Sequence, residues 1–239
     1  MGVTTNPARL AGLLWLLTTV TGGFSLFYVR SHVIVPGDAA ATAGNIMTSG
    51  PLYRAAIVSS LVSQVFQFFL GLTLFDLFKE VNKRLATVVL ASVLMSVGIA
   101  FVNTLNHFGA LLVLSRAEFL NVFAPAQLDA MALVLLRLAN SSGQGLLEIF
   151  WVPYYVSFGL LVIRSRLLPK VLGILLMVMG VGFAVNILQK FMIPQLYPAM
   201  FTQLAMTFGG LGGVPTMLWL LIKGANAPKA NLQEQRAGQ

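Results

Sequence analysis

The chain has 239 residues, 57% of them hydrophobic and only 9% charged. Soluble domains carry about a quarter charged residues, so this composition excludes an ordinary water-facing surface. The net charge of +8 sits at the ends of apolar runs with no interleaved aromatics, which excludes a nucleic-acid groove. The absence of cysteine excludes disulfides, thiolate metal sites and cysteine nucleophiles.

Six uncharged or nearly uncharged runs follow along the chain, at residues 10–29, 55–78, 85–112, 141–163, 171–191 and 199–222. Each approaches or exceeds the ~20 residues that cross a hydrocarbon core of ~30 Å. The runs are continuous rather than alternating, which selects helices over a closed barrel. The first is longer than the core of a signal peptide and is expected to stay as an uncleaved span.

Between the first two spans, Pro36-Gly37-Asp38 makes a turn with an N-cap aspartate, opening a short helix at 39–48 that Ser49-Gly50-Pro51 ends. Ser115 and Glu118 have capping-box spacing and are expected to open another, which stops before Pro125. A third short helix is expected at 126–139. Joined to the fourth span it would be ~57 Å long at 1.5 Å per residue, so a break is placed at 140–145 (Asn-Ser-Ser-Gly-Gln-Gly), with 126–139 lying along or re-entering the outer interface.

Of the 15 Lys and Arg residues, Arg9, Lys79, Lys83, Arg84, Arg164, Arg166, Lys170, Lys223, Lys229 and Arg236 fall on one side. Arg30, Arg54, Arg116, Arg137 and Lys190 fall on the other. The richer side is the cytoplasm by the positive-inside rule. The expected architecture is an all-α polytopic membrane protein with six transmembrane helices, both termini cytoplasmic and short helices in the outer loops. Its parts are a cytoplasmic tail at 1–8, a membrane domain at 9–223 and a disordered cytoplasmic tail at 224–239. Similar openings of the odd-numbered spans (Arg9-Leu-Ala-Gly, Arg84-Leu-Ala-Thr, Lys170-Val-Leu-Gly) also fit three tandem hairpins.

Glu148 is the most informative residue. A lone acid inside an apolar span is by default a functional-site candidate. By residue count Glu148 lies ~10 Å from the outer end of its span, and Gln64 and Gln67 lie ~13 and ~18 Å from the outer start of theirs. Asn103 and His107 share one face of the third span at i, i+4, and Gln144 and Glu148 share one face of the fourth. Asn186, Gln189 and Gln203 also fall in outer halves. The six residues Glu148, His107, Asn103, Gln67, Gln64 and Gln144 therefore define a candidate outward-facing polar pocket, with a His107–Glu148 contact expected. The competing reading is that the amides are packing glue between helices. Gly209 and Gly213 have the spacing of a close helix contact, and Pro153 is placed to kink the fourth span. Asp76 and Glu80 are expected to be solvated partners of Lys79, Lys83 and Arg84. His32 and His107 are too far apart in sequence for a zinc motif, and neither a metal nor another cofactor is expected.

Several segments carry a resemblance: Arg9 to Leu14, Val33-Ile-Val-Pro-Gly-Asp-Ala39, Thr42-Ala43, Asn45-Ile46, Arg54, Arg164-Ser165, Leu168-Pro169-Lys170 and Gly173. They resemble a bacterial membrane-protein family catalogued as a domain of unknown function, number four-three-eight-six. The Pro-Gly-Asp loop is its most specific part, and Glu148 is not part of the pattern. The resemblance implies a multi-pass protein of the bacterial inner membrane with no assigned activity.

Three functional readings stand open: a small protein that binds or transports a small molecule or ion, an intramembrane enzyme using His107 and Glu148 as base and acid, and a structural or regulatory subunit serving a homo-oligomer or partner chain. The first is preferred, and the lipid bilayer is a partner in all three.

Overall fold

A computed structural model of the chain describes residues 6–28, 32–192 and 212–225, apart from the side chains of Tyr28 and of residues 141–144. The outer part of the sixth expected span, at 199–211, lies outside the described residues, as do Arg30, Gly209 and most of the two tails.

The described residues are helical and contain no strand. We number the helices α1 (Pro7–Tyr28), α2 (Ala39–Thr48), α3 (Gly50–Phe78), α4 (Lys83–Leu114), α5 (Pro125–Arg137), α6 (Gln144–Ser165), α7 (Lys170–Met192) and α8 (Gly212–Ile222). Five helical stretches are long and apolar enough to cross a membrane: α1, α3, α4, the stretch containing α5 and α6, and α7. The chain is therefore a multi-pass membrane protein by length and composition.

Side-chain exposure agrees with a lipid surround. On α7, Val171, Ile174, Val178, Val181, Val185 and Leu188 recur every three or four residues and are all exposed, whereas Leu172, Gly173, Leu176, Gly180 and Asn186 are buried. A soluble helix would place charges on that outer stripe. Here the outer stripe is as apolar as the inner one, as it must be where lipid replaces water.

The chain divides into two compact units. One takes the chain up to Leu16, Phe69–Leu94 and the chain from Glu148 onward; the other takes Leu17–Phe68 and Met95–Leu147.

Small residues hold the first unit together. Gly159 on α6 and Gly173 on α7 meet backbone to backbone: a Cβ on Gly159 would stand 2.5 Å from the Gly173 carbonyl oxygen, and a Cβ on Gly173 would stand 2.7 Å from that of Gly159. Gly180 is similarly close to Val156. These pairs define an antiparallel α6–α7 hairpin closed by the short turn after Ser165, where Arg166 adopts a φ of 55°. Gly12 of α1 abuts the α8 backbone at Leu220 and Leu221, and Gly212 of α8 abuts the carbonyl of Leu175. Of the Gly209/Gly213 pair expected from the sequence, Gly209 lies outside the described residues, and Gly213 packs against Trp15 and Met179. Phe158 is the aromatic hub, with ring centroids 6.0 Å from Trp15, 5.6 Å from Phe78 and 5.9 Å from Tyr154.

In the second unit, two serines of α3 stitch it to α1. Ser59 and Ser63 donate to the carbonyls of Thr21 and Thr18, each at 2.9 Å. In the same unit α2 packs on α5, and a hydrophobic core forms from Val33, Ile46, Tyr53, Leu120, Leu128 and Leu136 with their neighbours. Asp38 caps α2 as expected, accepting from the Ala41 N–H at 2.8 Å. Thr42 and Asn45 then tie the Pro-Gly-Asp loop down. Thr42 Oγ1 accepts from Val35 N at 3.1 Å, and Asn45 Nδ2 donates to the Val33 carbonyl at 3.2 Å.

Two expectations are corrected. The break placed at 140–145 is not a loop: Leu138–Gly143 is a π-helical segment, so α5 and α6 form one helical stretch of 41 residues. A π turn absorbs the poor helix formers Asn140, Ser141, Ser142 and Gly143 without ending the helix. The capping box at Ser115 and Glu118 does not form either. Ser115 instead donates to the Leu112 carbonyl at 2.7 Å at the end of α4, and Glu118 begins a single 3₁₀ turn, Glu118–Leu120. The side chain that does reach back to a helix start is Gln127, whose Oε1 accepts from Ala124 N at 2.8 Å.

Candidate functional site

The polar residues singled out from the sequence divide between the two units. Gln64, Gln67, Asn103, His107 and Gln144 belong to one, Glu148 to the other. The side chain of Gln144, which opens α6, lies outside the described residues.

Glu148 stands on the second turn of α6 and is 9% exposed. Asn186 of α7, itself buried, donates from Nδ2 to Glu148 Oε2 at 2.7 Å. The glycine-lined hairpin sets this distance: with the backbones touching at Gly159 and Gly173, two short polar side chains nearer its open end can meet. A hydrogen bond to a carboxyl in such surroundings is worth roughly 1.5–3 kcal/mol if the acid is ionised and about half that if neutral. One turn further into α6 an aromatic wall follows. Trp151 meets Phe183 edge-on at 5.0 Å, and Tyr155 stacks on Phe183 at 5.6 Å. Pro153 lies inside α6 without ending it, and it offers no N–H to the carbonyl of Ile149.

His107 is bonded within its own unit. Its Nδ1 lies 2.8 Å from the hydroxyl of Tyr53, a residue with no exposed surface. Through Tyr53 it is joined to the α2–α5 core. Asn103 is likewise held by its neighbours. Its Nδ2 donates to the Ala139 carbonyl at 3.0 Å, and its Oδ1 accepts from Asn106 Nδ2 at 3.1 Å. Ala139 is in the π segment, where the ordinary i to i+4 ladder is interrupted, so Asn103 supplies a donor where the helix changes register. Gln64 and Gln67 are half-buried on α3, and neither makes a side-chain hydrogen bond among the described residues.

Two partners were not among the candidates drawn from the sequence. Asn186 had a signal, an amide in the outer part of an apolar span. Tyr53 had none, because a tyrosine near a span end reads first as an interfacial anchor. At the C-terminal end of α3, Asp76 and Lys79 form the expected solvated pair at 2.7 Å, and the carboxylate holds the exposed ammonium above its ordinary pKa.

The model of the family described as "Domain of unknown function (DUF4386)" matches residues 10–224. The chain belongs to that family. The DUF4386 match takes in the capped loop before α2, the Gly159–Gly173 crossing and the Glu148–Asn186 pair. No curated protein and no solved structure matches the chain.

Proposed function

We propose that this DUF4386 protein is a six-span protein of the bacterial inner membrane, with both termini in the cytoplasm, that binds or carries a small molecule or ion at Glu148. The observation that carries the reading is the buried Glu148 carboxyl, held by Asn186 across a hairpin whose backbones are in contact. An ionisable group kept at membrane depth in one geometry is the usual mark of an ion, proton or substrate path. The orientation rests on the excess of Lys and Arg at the Lys79–Arg84 and Arg164–Lys170 turns. The sixth span rests on the apolar run 199–222, whose second half is α8.

Two measurements test the site. Dicyclohexylcarbodiimide, which seeks protonated carboxyls in apolar surroundings, is expected to modify the Glu148 peptide of the native protein, as read by mass spectrometry. A Glu148→Cys variant of this cysteine-free chain is expected to react with an impermeant thiosulfonate from the outer face, while Ile149→Cys, lipid-facing, does not. If the folded protein shows neither modification, Glu148 is a packing residue and the binding reading fails.

A further inference from the structure

The loop that follows α4 is built to present apolar side chains outward. Arg116, at a φ of 50°, turns the chain away from α4, and its guanidinium reaches Asp129 of α5 at 3.4 Å. Leu120, 7% exposed, plugs into the core between α2, α4 and α5. Held at these two points, the loop leaves Phe119 65% exposed, Val122 82% and Phe123 41%. The start of α5 is fastened by the Ala124–Gln127 hydrogen bond, so the loop is tied down at both ends. Three large apolar side chains on a short, fastened loop are an expensive surface to leave in water.

The lengths of the helices say what covers them. No charged residue occurs in α4 after Arg84, and the next in sequence is Arg116. From Arg84 to Leu114 the helix rises ~45 Å at 1.5 Å per residue. A bilayer with its headgroups is about 40–45 Å thick, and transmembrane helices tilt by ~20° on average. The two arginines therefore bracket one bilayer, each in a headgroup layer. The exposed stripe of α4 that runs up through Phe101, Leu105, Phe108 and Leu112 is apolar to its end, so it meets lipid up to the level of Arg116. The loop begins at that level.

We propose that the loop around Phe119, Val122 and Phe123 is an interfacial anchor, seated in the headgroup–acyl boundary at the level where α4 ends. Its partner is the lipid surface itself. Phenylalanine and valine enter the boundary, while Arg116 and Asp129 stay at the headgroups as a bonded pair.

The test uses the full chain with one cysteine, Val122→Cys, carrying a nitrobenzoxadiazole label. The control is Ala126→Cys, also exposed and on the side of α5 away from Met131 and Leu138. Both are placed in single-copy nanodiscs and in vesicles, with the thermal unfolding midpoint confirming the fold. The anchor predicts blue-shifted emission at 122 in both settings. It also predicts quenching by a shallow nitroxide lipid several-fold stronger than at 126, and iodide quenching several-fold weaker. Water-like emission with equal iodide access at both sites overturns the proposal. So does a blue shift seen in crowded vesicles and lost in single-copy discs, which would assign the surface to a second copy of the chain.

Discussion

Replacing Gly173 by alanine tests whether the α6–α7 hairpin depends on backbone contact. The added methyl would stand 2.7 Å from the carbonyl oxygen of Gly159 and 2.7 Å from Cγ1 of Ile163. Ordinary contact begins near 3.4 Å, so the two sides must part by roughly 0.7 Å. Ile163 can turn aside, but the Gly159 oxygen belongs to a helical backbone and cannot. Overpacking of this kind costs about 1–3 kcal/mol. Alanine's better helix propensity returns at most ~1 kcal/mol. The expected net loss is about 1–2 kcal/mol, a roughly 5- to 30-fold shift in the folded-to-unfolded ratio. The assay is the unfolding midpoint in nanodiscs, with Gly182→Ala as the control on the same helix, since a Cβ there meets nothing within 4 Å. Gly173→Ala is expected to unfold earlier than wild type, and Gly182→Ala at the same temperature or later. Equal midpoints for the two variants would refute the argument that the crossing holds the hairpin.

Four further outcomes follow from named bonds. Asn103→Ala removes the donor at the Ala139 carbonyl, so a loss of about 1–3 kcal/mol is expected, together with faster amide exchange across the π segment; unchanged exchange there would mean the carbonyl never needed the amide. Tyr53→Phe keeps the ring in the core and deletes its bond to His107, for about 0.5–1.5 kcal/mol in the unfolding midpoint, with no loss meaning that water replaces the hydroxyl. Asp38→Ala removes the cap of α2 at ~1 kcal/mol and should raise exchange at the Ala41 amide first. Asp76→Asn should lower the Lys79 titration midpoint seen by NMR and leave the thermal midpoint at neutral pH where it was. Lys79 is raised by its neighbour, so the pair's small contribution is complete below the usual lysine pKa and disappears as the pH climbs past the raised value.

Five of the spans were legible because lipid imposes a length and a composition that few other structures share. At α4 and α7 the boundaries moved outward by only one or two residues, to Lys83–Leu114 and Lys170–Met192. The cap at Asp38 was legible because an N-cap is a local event between residues three apart. The failures were events that local sequence does not encode. Asn-Ser-Ser-Gly reads as a helix stop by propensity, and a π turn with Asn103 beside it overrides that reading through a tertiary hydrogen bond. Nor does counting depth along a span say which side chains bond Glu148 and His107. The observed hydrogen bonds run to Asn186 and Tyr53, each 38 or more positions away in the chain.

The close-packed α6–α7 hairpin also bears on how the protein is made. Synthesis delivers Glu148 to the membrane 38 residues ahead of Asn186. At ~5–20 residues per second that interval is roughly 2–8 s. During it α6 must either hold a carboxyl in lipid without that amide or wait at the insertion site until α7 arrives. The turn between the helices is short and their glycines mate directly, so the pair can leave the translocation machinery as one object, its polar atoms already facing each other. The buried pair thereby sets an order of events, in which the sixth helix becomes a stable resident of the bilayer only when the seventh has been made.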